Sequence, residues 1–241
     1  MDEVVKQLIP IFLKIRNNLQ KNCFEARCSH EGEISLITKE LVAMRKTNDP
    51  RIGVQLCNQP DCVTFHTHLN ARRGWTPPCH GDFLCAGIRA ALDSSQHLDF
   101  ILAREGIYVI DASELGKVLR EDAKRIVLNP EWKISQQNVK SWTEQSEIDS
   151  ATDKILRSWT YTWPILSGGE QFEWYRKRGF AFWGPGALSR SIHKPLTRII
   201  EQVEMTRGEA FAELWKEYVE ICRGIGIRIS SFPNEMDMNS I

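Results

Sequence analysis

The sequence carries no surplus of charge of either sign: Lys plus Arg and Asp plus Glu each number 31 in 241 residues. A neutral balance gives no reason to expect nucleic acid or an anionic membrane surface as the main partner. Long apolar runs are also missing. The stretch Leu8–Ile15 is short, and Lys6, Lys14 and Arg16 flank or interrupt it. Neither a membrane span nor a secretory signal is therefore expected. A paired-cysteine framework is lacking too. Seven cysteines, an odd number scattered along the chain, fit free thiols in a reducing compartment and an expected cytoplasmic location. Cys57 and Cys62 have the spacing of half a zinc site, but no second Cys/His pair completes it. They read as two cysteines beside a hairpin turn at 58–61. No internal repeat and no low-complexity tract is present.

What is there has the periodicities of an α+β domain. Val4, Leu8, Phe12, Ile15 and Leu19 recur at helical spacing and predict a helix over 3–21. Cys23 to Ser29 reads as a strand, His30-Glu31-Gly32 as a turn, and Glu33 to Thr38 as a returning strand. Arg51 to Leu56 and Cys62 to His68 are further strands. Phe83 to Leu92 is a helix begun by Asp82. His97 to Leu102 and Gly106 to Ile110 form a hairpin, and Ser113 to Arg120 another helix. Helix, strands, helix and hairpin in that order give an α+β or three-layer domain over 1–128. Past Asn129-Pro130 the character changes: seven of the eight tryptophans follow. Here 159–163 reads as a strand and 172–182 is aromatic. Leu196 to Arg223 reads as one or two helices with Gly208 as a weak point, and Gly224 to Ile229 as a closing strand. Residues 129–241 are expected to form a Trp-rich, mainly helical accessory module, since so many tryptophans do not suit a disordered tail.

The richest chemistry lies between Val63 and Asp82. His66 and His68 are two apart on a predicted strand, so both imidazoles point to one face. Asp82, at a helix start, is placed either to cap that helix or to turn back toward the histidines. Two imidazole nitrogens and one carboxylate make three protein ligands and leave one tetrahedral position open, as in catalytic zinc sites. If Cys79 took that position the site would be closed and structural. Trp75 and Arg72-Arg73 sit in the intervening loop and read either as a cleft lining or as a solvated loop with one packed aromatic.

The spacing carries a family resemblance. Phe65-His66-Thr67-His68, then residues 69–78, then Cys79-His80-Gly81-Asp82 preceded by Pro78, resembles the JAMM (MPN-type) metallopeptidase signature, His-x-His followed by Ser-x-x-Asp. Two positions depart from it: Cys79 stands for the usual Ser, and Leu69 for the Pro that usually follows the second His. The resemblance implies a mixed β-sheet flanked by helices, with zinc on His66, His68 and Asp82. It implies hydrolysis of a peptide or isopeptide bond in a protein or peptide substrate. It also implies a glutamate base early on the first strand. Of Glu25, Glu31, Glu33 and Glu40, Glu25 fits that place best and Glu33 next. Cys79 takes the place of the Ser that donates to the oxyanion. Many members remove ubiquitin or a ubiquitin-like modifier from lysine, although no residue here identifies ubiquitin. Two other readings belong beside this one: an MPN-like binding scaffold with a structural zinc, and a cysteine hydrolase using Cys79 with His80. Adjacent loop residues seldom orient as a nucleophile and its base.

Overall fold

The computed structural model describes residues 3–23, 29–47, 61–68, 76–128, 145–162, 194–202, 205 and 211–233. Glu25, the strand expected at 51–56, Cys57, Leu69, Arg72, Arg73, Trp75, the aromatic stretch 172–182 and Gly208 lie outside them. In chain order the elements are α1 (Glu3–Cys23), β1 (Ser29–Ser35), β2 (Leu41–Thr47), β3 (Cys62–His68) and α2 (His80–Leu92), followed by a 3₁₀ turn (Ser94–Gln96). Then come β4 (Leu98–Ala103), β5 (Gly106–Asp111), α3 (Ser113–Leu128), α4 (Gln145–Thr162), a helical segment over 194–202, α5 (Phe211–Gly224) and β6 (Arg228–Pro233).

The six strands make one mixed sheet in the order β2-β1-β3-β4-β5-β6. Among the described strands only β3 and β4 run parallel, with α2 forming the crossover between them; the other neighbours are antiparallel. Helices cover both faces. On one, α1 lays Val5, Leu8 and Phe12 against Val63, Phe65, Phe100, Leu102 and Val109. The Phe12 and Phe100 rings stack at 4.2 Å. On the other face α2, α3, α4 and α5 bury a larger cluster that includes Phe83, Ile101, Tyr108, Ile110, Leu119, Trp159, Tyr218 and Ile229. Residues from both sides of position 129 share this cluster, and β6 extends the sheet that β1 to β5 begin. No helix among the described residues is long and apolar enough to cross a membrane.

Three local expectations need correction. The predicted turn at His30-Glu31-Gly32 is the middle of β1, which runs unbroken from Ser29 to Ser35. Gly32 is needed for close approach, not for a turn. A Cβ there would press on Ala43 O of β2 and come within 2.7 Å of the Phe65 ring of β3. The real reversal falls at 36–38, ahead of Lys39, which has a positive φ of 61°. Second, 159–162 is not a strand but the last turn of α4. Its Trp and Thr residues favour strands locally. The spacing of Thr152, Leu156 and Trp159 instead continues a helical stripe, and Trp159 is 2% exposed in the core. Third, the closing strand starts at Arg228 rather than 224. Gly226, at φ 80°, turns the chain there, and its carbonyl accepts from Leu115 N at 3.1 Å.

Candidate metal centre

Strand alternation puts Thr64, His66 and His68 on the face that meets α2. Because β3 feeds α2 and α2 returns to a parallel β4, the carboxyl end of β3 lies beside the first turn of α2. Crevices at carboxyl ends of parallel strands are where α/β sheets commonly hold ligands. Asp82, in that first turn, does both things its position suggested. One oxygen, Oδ2, accepts from Cys79 N at 2.6 Å and so caps the helix. The other, Oδ1, lies 3.1 Å from His66 Nε2. The two Nε2 atoms of His66 and His68 are 3.2 Å apart, and His68 Nε2 is 3.5 Å from Asp82 Oδ2. Among the described residues these three are the group whose ligand atoms gather within 4.8 Å of one another. Cys79, next to them in sequence, is outside that group.

The surroundings fix each ring. His68 Nδ1 donates to Thr76 O at 3.1 Å, which aims Nε2 at the cluster. Thr76 is itself anchored: its Oγ1 donates to His68 O at 2.9 Å and its N–H to Glu105 Oε1 at 2.7 Å. Glu105 is buried and also accepts from Tyr108 OH at 2.7 Å. Tyr218 of α5 donates to Pro78 O, tying the C-terminal part of the chain to the ligand loop. Behind His66, Asp99 Oδ2 lies 3.7 Å from Nδ1. Asp99 is held by Arg89 Nη2 at 2.8 Å and Thr64 Oγ1 at 3.0 Å, and Arg89 also donates to Thr64.

The electrostatics follow from this packing. Burial works against a charged imidazole at His68. The neighbouring Asp82 charge and the bonds to Asp82 and Thr76 outweigh it and raise the pKa to about 9. Burial likewise opposes an ionised Asp82, yet His68 and His66 hold its carboxyl well below the usual range. At Cys79, burial and then the Asp82 charge push the thiol well up. A neutral thiol is a poor nucleophile and a poor metal ligand. Two imidazole nitrogens 3.2 Å apart, each 3.1–3.5 Å from an oxygen of the Asp82 carboxylate, can be satisfied by a shared proton or by one cation. Their N₂O donor set, with a hydrogen-bonded partner behind His68 and a carboxylate 3.7 Å behind His66, fits zinc.

Of the expected site residues, the structure brings together His66, His68 and Asp82. Glu25 lies outside the described residues. Glu31, which the sequence reading assigned to a turn, sits on β1 opposite His66, and Glu33 sits opposite Thr64. Opposite residues of an antiparallel pair share a face, so both carboxylates belong to the side of the sheet that carries His66 and His68. Glu31 Oε1 accepts from Arg45 Nε at 2.6 Å. A cavity of about 140 Å³ lies between β1, β3 and α2, lined in part by Glu31, Glu33, His66, Asp82 and Arg89. The signal for Glu31 was present in the sequence as the alternation of Ser29, Glu31, Glu33 and Ser35 against Gly32 and Ile34. Asp99, Glu105 and Thr76 had no distinguishing local signal. No family model, curated protein or solved structure matches this chain.

Proposed function

We propose that this protein is a zinc-dependent hydrolase of peptide or isopeptide bonds, of the JAMM/MPN kind. The observation that carries the reading is the convergence of His66 Nε2, His68 Nε2 and Asp82 in the crevice that Glu31 also faces. These three side chains would hold the ion. Zinc bound there supplies a Lewis acid that polarises the scissile carbonyl and lowers the pKa of the attacking water.

The chain's own groups supply the rest. Glu31 accepts the proton of the attacking water and returns it to the leaving amine nitrogen, the usual part of a carboxylate base. Arg45 fixes the carboxylate's orientation through its 2.6 Å bond to Oε1. Thr76 keeps the His68 imidazole turned inward, Glu105 keeps Thr76 in place, and Asp99 places a carboxylate 3.7 Å behind His66 Nδ1. Cys79 stands where an oxyanion donor is needed, and its S–H donates weakly. Turnover should therefore be slow compared with a site that carries a hydroxyl there.

The test is hydrolysis of a panel of peptide and ε-linked isopeptide substrates, ubiquitin-like conjugates among them, by zinc-loaded protein. Cleavage should stop with a chelator and return with zinc. Glu31→Gln should lower kcat by about 100-fold or more while keeping the metal. Cleavage that survives full metal removal, or an unchanged rate in Glu31→Gln, would overturn the proposal.

A further inference from the structure

We propose that Tyr218 is a positioning residue of the metal centre: its hydroxyl grips the Pro78–Cys79 peptide group from α5 and so sets where the Asp82 carboxylate stands relative to His66 and His68. The inference rests on the reading of these three side chains as metal ligands, and it makes α5 part of the site's construction.

A peptide group is planar and rigid, so its C=O and N–H move together. At the Pro78–Cys79 peptide both ends are held. Tyr218 Oη donates to Pro78 O. Cys79 N–H donates to Asp82 Oδ2 at 2.6 Å, and Asp82 Oδ1 lies 3.1 Å from His66 Nε2. Phenol, peptide, carboxylate and imidazole thus form one chain, in which each hydrogen bond polarises the next. The segment 76–79 has few other means of being fixed. Pro77 and Pro78 are buried and carry no N–H. The N–H groups that remain, of Thr76 and Cys79, go to Glu105 and Asp82. The carbonyl of Thr76 accepts from His68 Nδ1, that of Cys79 from Phe83 N, and that of Pro78 from the tyrosine.

The tyrosine comes from a fixed support. Tyr218 and Cys222, one turn on, are both buried and mark the inner face of α5. Beyond α5 the chain turns at Gly226 and joins the sheet as β6 beside β5. The Trp215 ring lies 5.4 Å from that of Tyr218 and 5.9 Å from that of Tyr108. Tyr108 in turn donates to Glu105, which holds Thr76. Two phenols therefore pin the segment at its two ends, Tyr108 through Glu105 on the His68 side and Tyr218 on the Asp82 side. Packing alone would be served by phenylalanine at position 218. A hydroxyl buried this deeply is favourable only with a partner, and its partner here is the carbonyl whose peptide N–H holds Asp82.

The experiment compares the wild-type full chain with two variants. Tyr218→Phe keeps the ring and removes the hydroxyl. Val5→Ala removes two buried methyl groups of α1, on the opposite face of the sheet. Amide NMR of metal-free protein should show the Cys79 N–H signal moving upfield in Tyr218→Phe and staying in place in Val5→Ala. Chelator competition should show zinc affinity falling about tenfold in Tyr218→Phe and unchanged in Val5→Ala. A merely structural role lowers stability in both variants and moves neither readout. An unmoved Cys79 signal, an unchanged zinc affinity in Tyr218→Phe, or a loss that Val5→Ala matches would each overturn the proposal. If Tyr218→Phe does not fold, Trp215→Phe replaces it. That variant leaves the hydroxyl but loosens the ring behind it, so both changes should appear in smaller measure, and their absence overturns the proposal. A wild type that takes up no zinc would refute the metal-centre reading by itself. The Cys79 signal of the metal-free proteins would still decide whether Tyr218 holds the Asp82 turn.

Discussion

Zinc uptake should release a proton, and the affinity should climb with pH on a scale set by His68. In the metal-free protein this imidazole resists burial and stays charged up to about pH 9, because Asp82 and Thr76 O favour the charged form. A cation at Nε2 must displace that proton. At pH 7 the group lies two units below its folded pKa, so zinc binds about 100-fold more weakly than it would to the free base, an offset of about 2.7 kcal/mol. Apparent affinity should therefore rise about tenfold per pH unit from pH 7 and level off near pH 9. The same pairing affects stability without metal. A raised histidine pKa stabilises the fold fully below the ordinary value near 6.5, and that contribution is lost as pH rises through about 9. The depressed Asp82 pKa acts in the opposite direction, contributing above the ordinary carboxylate range and fading as pH falls. The assay is calorimetric zinc titration in two buffers of different ionisation enthalpy. About one proton per zinc should appear at pH 7 and well under half of one near pH 10. Stoichiometric zinc binding with no proton release at pH 7, and an affinity flat between pH 7 and 9, would refute the pairing described for His68 and Asp82.

Other perturbations separate the parts of the site. Replacing Glu105 with Leu leaves Thr76 N–H and Tyr108 OH without their acceptor, each costing about 1–3 kcal/mol if left unpaired. Urea unfolding should show that loss, and a chelator competition should show zinc affinity falling about 10- to 100-fold as His68 loses its anchored partner. Cys79→Ser should keep the zinc and leave turnover equal or higher, because a hydroxyl donates better than a thiol. Metal loss there would instead mark Cys79 as a ligand, and complete inactivation with chelator-insensitive wild type would mark it as a nucleophile. Trp159→Ala should destabilise the whole protein by about 3–5 kcal/mol in one cooperative transition, since Trp159 packs into the cluster shared by α2, α3 and α5. A separate, earlier transition confined to the C-terminal part would contradict a shared core.

The gathering of His66, His68 and Asp82 was legible because its signal is local. His66 and His68 obey the two-residue alternation of one strand, and Asp82 opens the next helix. The same local grammar gave α1, the β4–β5 hairpin and the start of α3. It failed where tertiary contacts decide. Gly32 reads as a turn until the approach of Ala43 O and the Phe65 ring is known. Residues 159–162 read as a strand until the buried stripe of α4 is seen. The placement of β6 against β5 depends on pairs such as Asp111 with Arg228, 117 positions apart, and no window of sequence reports such a pairing. The supporting acids escaped for a related reason. Asp99 and Glu105 look like ordinary surface carboxylates in the sequence, yet both are buried and bonded in the structure.

The central claim is that His66, His68 and Asp82 hold one metal ion. Elemental analysis of purified wild-type protein and of the His66→Ala/His68→Ala variant tests it directly. The account predicts close to one equivalent of zinc in the wild type and little in the double variant, since each histidine supplies one of three protein ligands. Undiminished zinc in the double variant, or no zinc in the wild type after supplementation with the metal, would contradict it.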